Sequence, residues 1–331
     1  MPGTAALSAA ARKARLVRTY LRGSPVHCTW QLSPRCESFC HLCEHRAESA
    51  GEELDTAGCA RVADGLGSDG SLIVSFTGSE PFLRSDLAEV VAAAARRHFP
   101  LLVTNGWLVT EARARAVWSA GLEAATVAIE DADPARHDAL CGMPGAHVRA
   151  VRALETLSRS RTRRTQRVNV RTRLRDGSTA ALPALLALAA AHDATLTVEA
   201  AFPLPQLNGG AAALAASLRE LKARHANLRT GLPVLERLAV AMGGGVPGCA
   251  AGRAFFNVDH RGRVTKCVEF RAPADRLGTL GEEALPALRP RLRAAADANE
   301  CRACFYASRA EVETLYTMRG LMSGLRTLVL S

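Results

Sequence analysis

Between residues 25 and 203 the chain alternates two kinds of segment. Short apolar runs read as strands: HCTWQL (27–32), SLIVSF (71–76), PLLVT (100–104), AATVAI (124–129), RVNVRTRL (167–174) and TLTVEAA (195–201). Segments of helical spacing lie between them, among them 84–98, 111–120, 146–158 and 179–192. Regular alternation of this kind implies βαβ units, a parallel sheet and right-handed crossovers. Six units predict an α/β fold, a partial (β/α)6 barrel with ligands at the carboxyl ends of its strands. Within 167–174 the period of two puts Val168, Val170, Thr172 and Leu174 on the face toward the helices. Arg167, Asn169, Arg171 and Arg173 then face the lumen, as do Thr29, Gln31, Ser75, Thr77 and Glu199 on the other strands.

The flanks read differently. Before the first strand, Leu16, Val17, Tyr20 and Leu21 form the stripe of a short amphipathic helix, a better reading of this basic stretch than an organelle transit peptide. After residue 203, NGGAAALAAS and GGGVPG mark a linker and a boundary around the helical LRELKARHANL. RAFFNVDHRGRVTKC then predicts a β-hairpin turning at His260, Arg261 and Gly262, followed by helices. The expected parts are a helical extension (1–24), the barrel (25–203), a helical linker (204–245) and a small C-terminal α+β domain (246–331).

At 331 residues, 48% hydrophobic and 22% charged, the chain is too apolar for disorder. The longest apolar run, 180–191, is interrupted by Pro183 and is too short to span a bilayer. With no secretory signal pattern, the expected location is the cytoplasm. The net charge of +10 is concentrated in RSRTRRTQRVNVRTRLR (159–175), which holds eight arginines. That run has no interleaved aromatics, so it predicts a solvated helical face and lumen-facing arginines rather than a nucleic-acid site.

The ten cysteines change the picture, because a reducing compartment favours metal or redox chemistry over disulfides. Cys28, Cys59 and Cys141 read as small buried hydrophobes. The other seven form two groups. Cys36, Cys40 and Cys43 are spaced C-x3-C-x2-C just after the first strand. Three thiolates would leave one iron of a 4Fe–4S cube with an open position; a zinc knuckle borrowing His41 or His45 is the other reading. Cys249, Cys267, Cys301 and Cys304 offer a complete four-thiolate set for a zinc ion or a second cluster.

With its neighbouring motifs the first half resembles the radical S-adenosylmethionine (SAM) superfamily. FTGSEPF (76–82), following the second strand, resembles the family's GGEP segment, with Ser79 in place of the second glycine. VTNGWLV (103–109) resembles its TNG segment, and AIEDADPARHDALCG (128–142) its fourth-strand stretch. In that stretch Ala128 replaces a serine, Glu130–Asp131 replaces Asp–Gly and Cys141 replaces an arginine; Leu42 stands where an aromatic is common. The resemblance implies that Cys36, Cys40 and Cys43 hold a 4Fe–4S cluster whose open iron chelates SAM. An electron from a flavodoxin- or ferredoxin-type donor then cleaves SAM to a 5′-deoxyadenosyl radical that abstracts hydrogen from substrate. Gly78, Ser79, Glu80, Pro81 and Asn105 are the implied cofactor contacts, and Asn169 and Arg171 join them as ribose and carboxylate contacts. Glu199 is either a substrate-side base or a partner for one of these arginines.

The four C-terminal cysteines resemble the twitch domain, the shortened relative of the SPASM domain, which implies an auxiliary 4Fe–4S cluster in 246–331. About 25 residues precede the first strand, too few for the recognition domain that many peptide maturases carry. The resulting expectation is an enzyme that modifies a peptide or secondary metabolite in a biosynthetic pathway. A sugar- or aminocyclitol-type dehydrogenase is the alternative enzyme, and a zinc-bearing basic interaction module the alternative outside catalysis.

Overall fold

The computed structural model describes residues 7–37, 52–68, 70–207, 209–246, 248–270 and 272–316. Cys40 and Cys43, with His41, Leu42 and His45, lie outside the described residues. A leading helix, α1 (Ala9–Leu21), is followed by strands where the apolar runs stand: β1 (His27–Gln31), β2 (Ile73–Thr77), β3 (Phe99–Thr104), β4 (Ala124–Ala128), β5 (Arg167–Leu174) and β6 (Thr195–Ala200). The crossovers are α2 (Thr56–Gly67), α3 (Leu87–Ala95), α4 (Glu111–Ser119), α5 (Pro134–Cys141) with α6 (Ala146–Arg159), and α7 (Leu182–Ala191). Side-chain oxygens set several of their starts: Asp55 caps α2, Thr110 caps α4 and Asp133 caps α5, each accepting a backbone N–H three residues on. The six strands pair in parallel in the order β6-β5-β4-β3-β2-β1, the partly open sheet expected of a partial barrel.

The two faces of this sheet build two cores. Cys28, Trp30, Val74, Phe76, Val168 and Val170 point outward and pack with the helices in the larger one. Ile73 and Phe99, of opposite parity, join a smaller core inside the barrel with Leu16, Phe255, Cys267 and Val312.

Four findings bear on the expectations. First, the C-terminal hairpin joins the barrel's own sheet. Its first strand, β7 (Phe255–Val258), pairs in parallel with β1 and adds a seventh parallel strand; β8 (Arg263–Thr265) and β9 (Gly278–Thr279) continue the sheet antiparallel. Pairing β7 covers the main-chain edge that β1 would otherwise expose. The nine-stranded sheet therefore runs unbroken across residue 246.

Second, the stretch expected as a linker is packed structure. Its helices α8 (Ala211–Arg224) and α9 (Leu232–Met242) bury Leu214, Leu218, Leu235 and Leu238 in the larger core. Leu228 between them makes a parallel bridge to Leu196, capping the other sheet edge. Third, α1 buries Arg12, Leu16 and Thr19, while Leu21 is 70% exposed. The helix is turned by Arg12, whose guanidinium donates to the His98 carbonyl (2.6 Å) and to Glu123 (2.9 Å) and lies 4.8 Å from the Phe99 ring centre. Fourth, Cys28 and Cys59 are buried as expected, but Cys141 is half-exposed with its sulfur 3.4 Å from His137 Nε2.

Two further helices, α10 (Leu285–Asp297) and α11 (Ala307–Leu315), complete the fold. Among the described residues no helix is long and apolar enough to cross a membrane.

Arg12 tethers α1 to the strand layer, so Arg12→Ala removes two hydrogen bonds, one of them charged on both sides. Arg163, at 3.4 Å, still reaches Glu123, which limits the expected loss to about 1–3 kcal/mol. Denaturant unfolding measures it, and a loss below about 0.5 kcal/mol, the range of ordinary surface substitutions, would refute the tether.

Candidate active site at the carboxyl ends of the strands

The residues singled out by sequence converge on one end of the barrel. The chain leaves β1 through a loop pinned at several points. Ser33 Oγ and Arg35 Nε both donate to Glu53 Oε1 at 2.7 Å, and the Arg35 carbonyl accepts from the Glu80 N–H at 3.0 Å. Exposed Cys36 follows, over the ends of β1 to β3, with Asn105 Nδ2 3.9 Å from its sulfur and 3.1 Å from Glu37 Oε1.

Gly78 must be glycine for a local reason. Its φ is +85°, and a Cβ there would come within 2.7 Å of Gln31 Cβ and 2.9 Å of Gln31 Cα, the last residue of β1. The close approach holds the segment 78–81 against the exit of β1. Pro81 is buried, and half-buried Ser79 lines a cavity of about 170 Å³ together with Gln31, Asn257, Thr265, Phe270 and Arg276.

Glu80 contributes its backbone to this edge, while its carboxylate is occupied elsewhere. Oε1 accepts from Phe82 N (2.9 Å) and Thr104 Oγ1 (2.8 Å), and Oε2 accepts from Asn105 N (2.8 Å). Burial pushes this carboxyl up to about 7 against the three donors, and Glu37 adds to the rise. The 78–81 and 104–106 segments are thus sewn together by one side chain. Thr104 Oγ1 in turn accepts from Gly106 N at 3.0 Å, and Asn105 Oδ1 from Trp107 N at 2.9 Å.

Inside the barrel the predicted lumen residues separate into closed and open sets. Asn169 is occupied, accepting from Thr195 Oγ1 (2.6 Å) and donating to Thr126 Oγ1 (3.4 Å). Arg173 closes on buried Glu130 at 2.5 and 2.9 Å, with Arg175 at 3.6 Å. Burial raises the Glu130 carboxyl, but Arg173, Arg171 and Arg175 together hold it below the usual carboxylate range. Arg171 and Glu199 stand open. They lie 3.9 Å apart, and neither Arg171 Nε nor the 3%-exposed Glu199's Oε2 has a hydrogen-bond partner. Unsatisfied buried polar atoms of opposite charge are where a zwitterionic ligand would be held.

Sequence reasoning missed Asn257. Its pairing with Thr29 through β7 brings it into the lumen, where Nδ2 donates to Gln31 Oε1 (3.2 Å) and Oδ1 has no partner. FFNV has no polar–apolar alternation to mark Asn257, and nothing local says that this strand joins β1.

The C-terminal cysteines assemble in part. Buried Cys267 and half-buried Cys249 pack at the inner core, and Cys304 lies near both. Burial pushes Cys249 up to about 11 and Cys304 up to about 12; the Cys267 charge adds to both rises and the Arg309 charge offsets them. Cys301 is on the adjoining turn, its N–H 3.4 Å from Asn299 Oδ1. Among the described residues no three His, Cys, Asp or Glu side chains gather as a site for one metal ion. Cys249, Cys267 and Cys304 as neighbouring free thiols, with the Arg309 guanidinium on the Cys267 sulfur, are donors of the kind that hold an iron–sulfur cluster.

Glu80→Gln tests the stitch between the two segments. An amide can keep the Phe82 and Thr104 donors but turns its own N–H2 toward Asn105 N. The expected cost is about 1–3 kcal/mol, read as a drop of several degrees in thermal midpoint, and an unchanged midpoint would show the stitch to be dispensable.

Residues 30–171 match the Radical SAM superfamily. Over 145 residues the chain is 31% identical to an AdoMet-dependent heme synthase of Nitratidesulfovibrio vulgaris, covering 41% of this chain and 39% of that protein. Over 143 residues it is 32% identical to a PqqA peptide cyclase of Gluconobacter oxydans, covering 42% and 40%. The matched region thus spans about two fifths of the length of these curated relatives. Among solved structures, Streptococcus suis SuiB bound to its precursor peptide SuiA superposes with a TM-score of 0.68 over 92% of this chain and 77% of that one, at 13% identity. That likeness is one of fold.

Proposed function

We propose that this chain, whose residues 30–171 match the radical SAM superfamily, is an enzyme of that superfamily acting on a peptide in a biosynthetic pathway. The reading has it cleave SAM reductively and abstract hydrogen from that substrate. The observation that carries it is the convergence of Cys36, the 78–81 edge, Asn105 and the open Arg171–Glu199 pair on one end of the barrel. When bound, the cluster and SAM supply a one-electron cleavage that yields a 5′-deoxyadenosyl radical.

The chain's own residues prepare the rest. Cys36, Cys40 and Cys43 hold the first 4Fe–4S cluster, with Asn105 donating toward the Cys36 sulfur. The backbone of Gly78 and Ser79 receives the methionine amino group, and Glu80 keeps that edge in register. Arg171 takes the cofactor carboxylate, and Asn169 orients the sugar side through its fixed amide. Glu199, across from Arg171, presents its unpartnered Oε2 on the substrate side. The cavity beside Ser79, with Asn257, Thr265 and Phe270, admits the substrate. Cys249, Cys267, Cys301 and Cys304 would hold an auxiliary 4Fe–4S cluster of the twitch type, which would supply a one-electron acceptor. The reductant is of the flavodoxin or ferredoxin type, and the setting is the cytoplasm.

A peptide is favoured because both a PqqA peptide cyclase and the fold of a precursor-peptide complex stand among the similar proteins. The AdoMet-dependent heme synthase match supports a second reading, a small-molecule substrate.

Anaerobically purified protein is expected to be brown and to form 5′-deoxyadenosine with dithionite and SAM. Cys36→Ala/Cys40→Ala/Cys43→Ala should abolish that product; formation at the wild-type rate would refute the assignment. A Cys301→Ala/Cys304→Ala variant should lose about half its iron while still cleaving SAM, uncoupled from product. Unchanged iron and an unchanged paramagnetic resonance spectrum of the reduced protein would remove the auxiliary cluster.

A further inference from the structure

Buried arginines in this fold are normally closed on oxygen. Arg84, with a side chain 5% exposed, donates to Asp86 (2.7 and 2.9 Å) and to the Leu54 carbonyl (2.9 Å), and Arg12 has its carbonyl and carboxylate. Arg309 on α11 is different. It is 8% exposed, and its side chain's one hydrogen bond among the described residues goes from Nη1 to Cys267 Sγ at 3.1 Å. Its guanidinium lies 4.2 Å from the Tyr306 ring centre and 5.4 Å from that of Phe255. The nearest carboxylate influence is Glu269, which accepts from Tyr306 Oη at 2.7 Å. A cation taken out of water costs several kcal/mol unless anionic charge answers it. The Cys267 sulfur is its hydrogen-bond acceptor, and Cys304, Tyr306 and Glu269 are the other groups whose charge bears on it.

We propose that Arg309 sets the reduction potential of the auxiliary cluster, holding it high enough to serve as an electron acceptor. The inference rests on the assignment of Cys249, Cys267, Cys301 and Cys304 to that cluster. Reduction adds negative charge that is shared with the ligand sulfurs, so a fixed cationic donor on one of them stabilises the reduced form more than the oxidised one. Burial strengthens the effect because little water screens it. A guanidinium stays charged at all working pH values, so the contribution does not vary with pH. Arg309 is a positioning and tuning residue; it ligates nothing.

The experiment uses the full chain carrying Cys36→Ala/Cys40→Ala/Cys43→Ala, so that any remaining cluster is the auxiliary one, with iron analysis and a redox titration followed by paramagnetic resonance. Arg309→Met should keep its iron and shift the one-electron equilibrium at least tenfold toward the oxidised form, about 59 mV to lower potential. Arg309→Gln, which keeps an N–H for sulfur but no charge, should shift in the same direction and carries the test if the methionine variant does not fold. Arg309→Lys should restore most of the potential. A purely structural arginine predicts lost iron or stability with no shift, and folded, iron-replete variants within twofold of the parent equilibrium overturn the proposal. If the triple-cysteine parent holds no iron, the auxiliary-cluster assignment itself is wrong, a result distinct from an unmoved potential.

Discussion

The main-chain pairing of β7 onto β1 is the constraint on which the other parts depend. A partial barrel has two raw edges, and one of them belongs to the strand whose exit loop carries Cys36. Four residues of β7, in register from His27–Phe255 to Trp30–Val258, cover that edge. The same register puts Phe255 into the inner core, Asn257 into the lumen beside Thr29, and the hairpin against Ser79. Cys267, two residues beyond β8, comes to lie at the inner core because β8 runs back antiparallel from there. Cys36, after β1, and Cys267, after β8, therefore follow strands of one sheet.

The six barrel strands were legible as short apolar runs, and the lumen-facing set on β5 followed from parity alone. Two helices left weak traces. The segment 56–67 contains three glycines, and the eight-residue 134–141 buries only His137. The cysteine spacing was plain in the sequence, as was the GSEP segment. Glu80's carboxylate was not, because its three donors come from 82, 104 and 105, and only folding brings the last two near. Arg309 carries no sequence signal at all: it sits five residues after the last cysteine, like any other basic residue in this arginine-rich chain.

The lumen holds two acid–base pairs built from the same materials. Arg173 and Glu130 are drawn together at hydrogen-bond distance, while Arg171 and Glu199 are left 3.9 Å apart with polar atoms unmatched. Both arginines lie on β5, two residues apart, so the strand itself does not explain the difference. A closed pair stiffens the barrel wall; an open one in the same medium stays ready for another molecule's charges. The upper pair is complete and the lower one is not, so unmatched polar capacity is left at the lower position.

The closure of β1 by β7 also has a meaning in time. Asn257 and Gln31 touch across 226 residues of chain. At a synthesis rate of roughly 5–20 residues per second, β1 waits on the order of 10–45 s for its second neighbour to leave the ribosome. During that interval the strand that leads into the first cysteine loop has one hydrogen-bonding edge uncovered, in a chain whose remaining pairings are mostly local. The β1–β7 pairing is thus the last parallel strand pairing that the emerging chain can make.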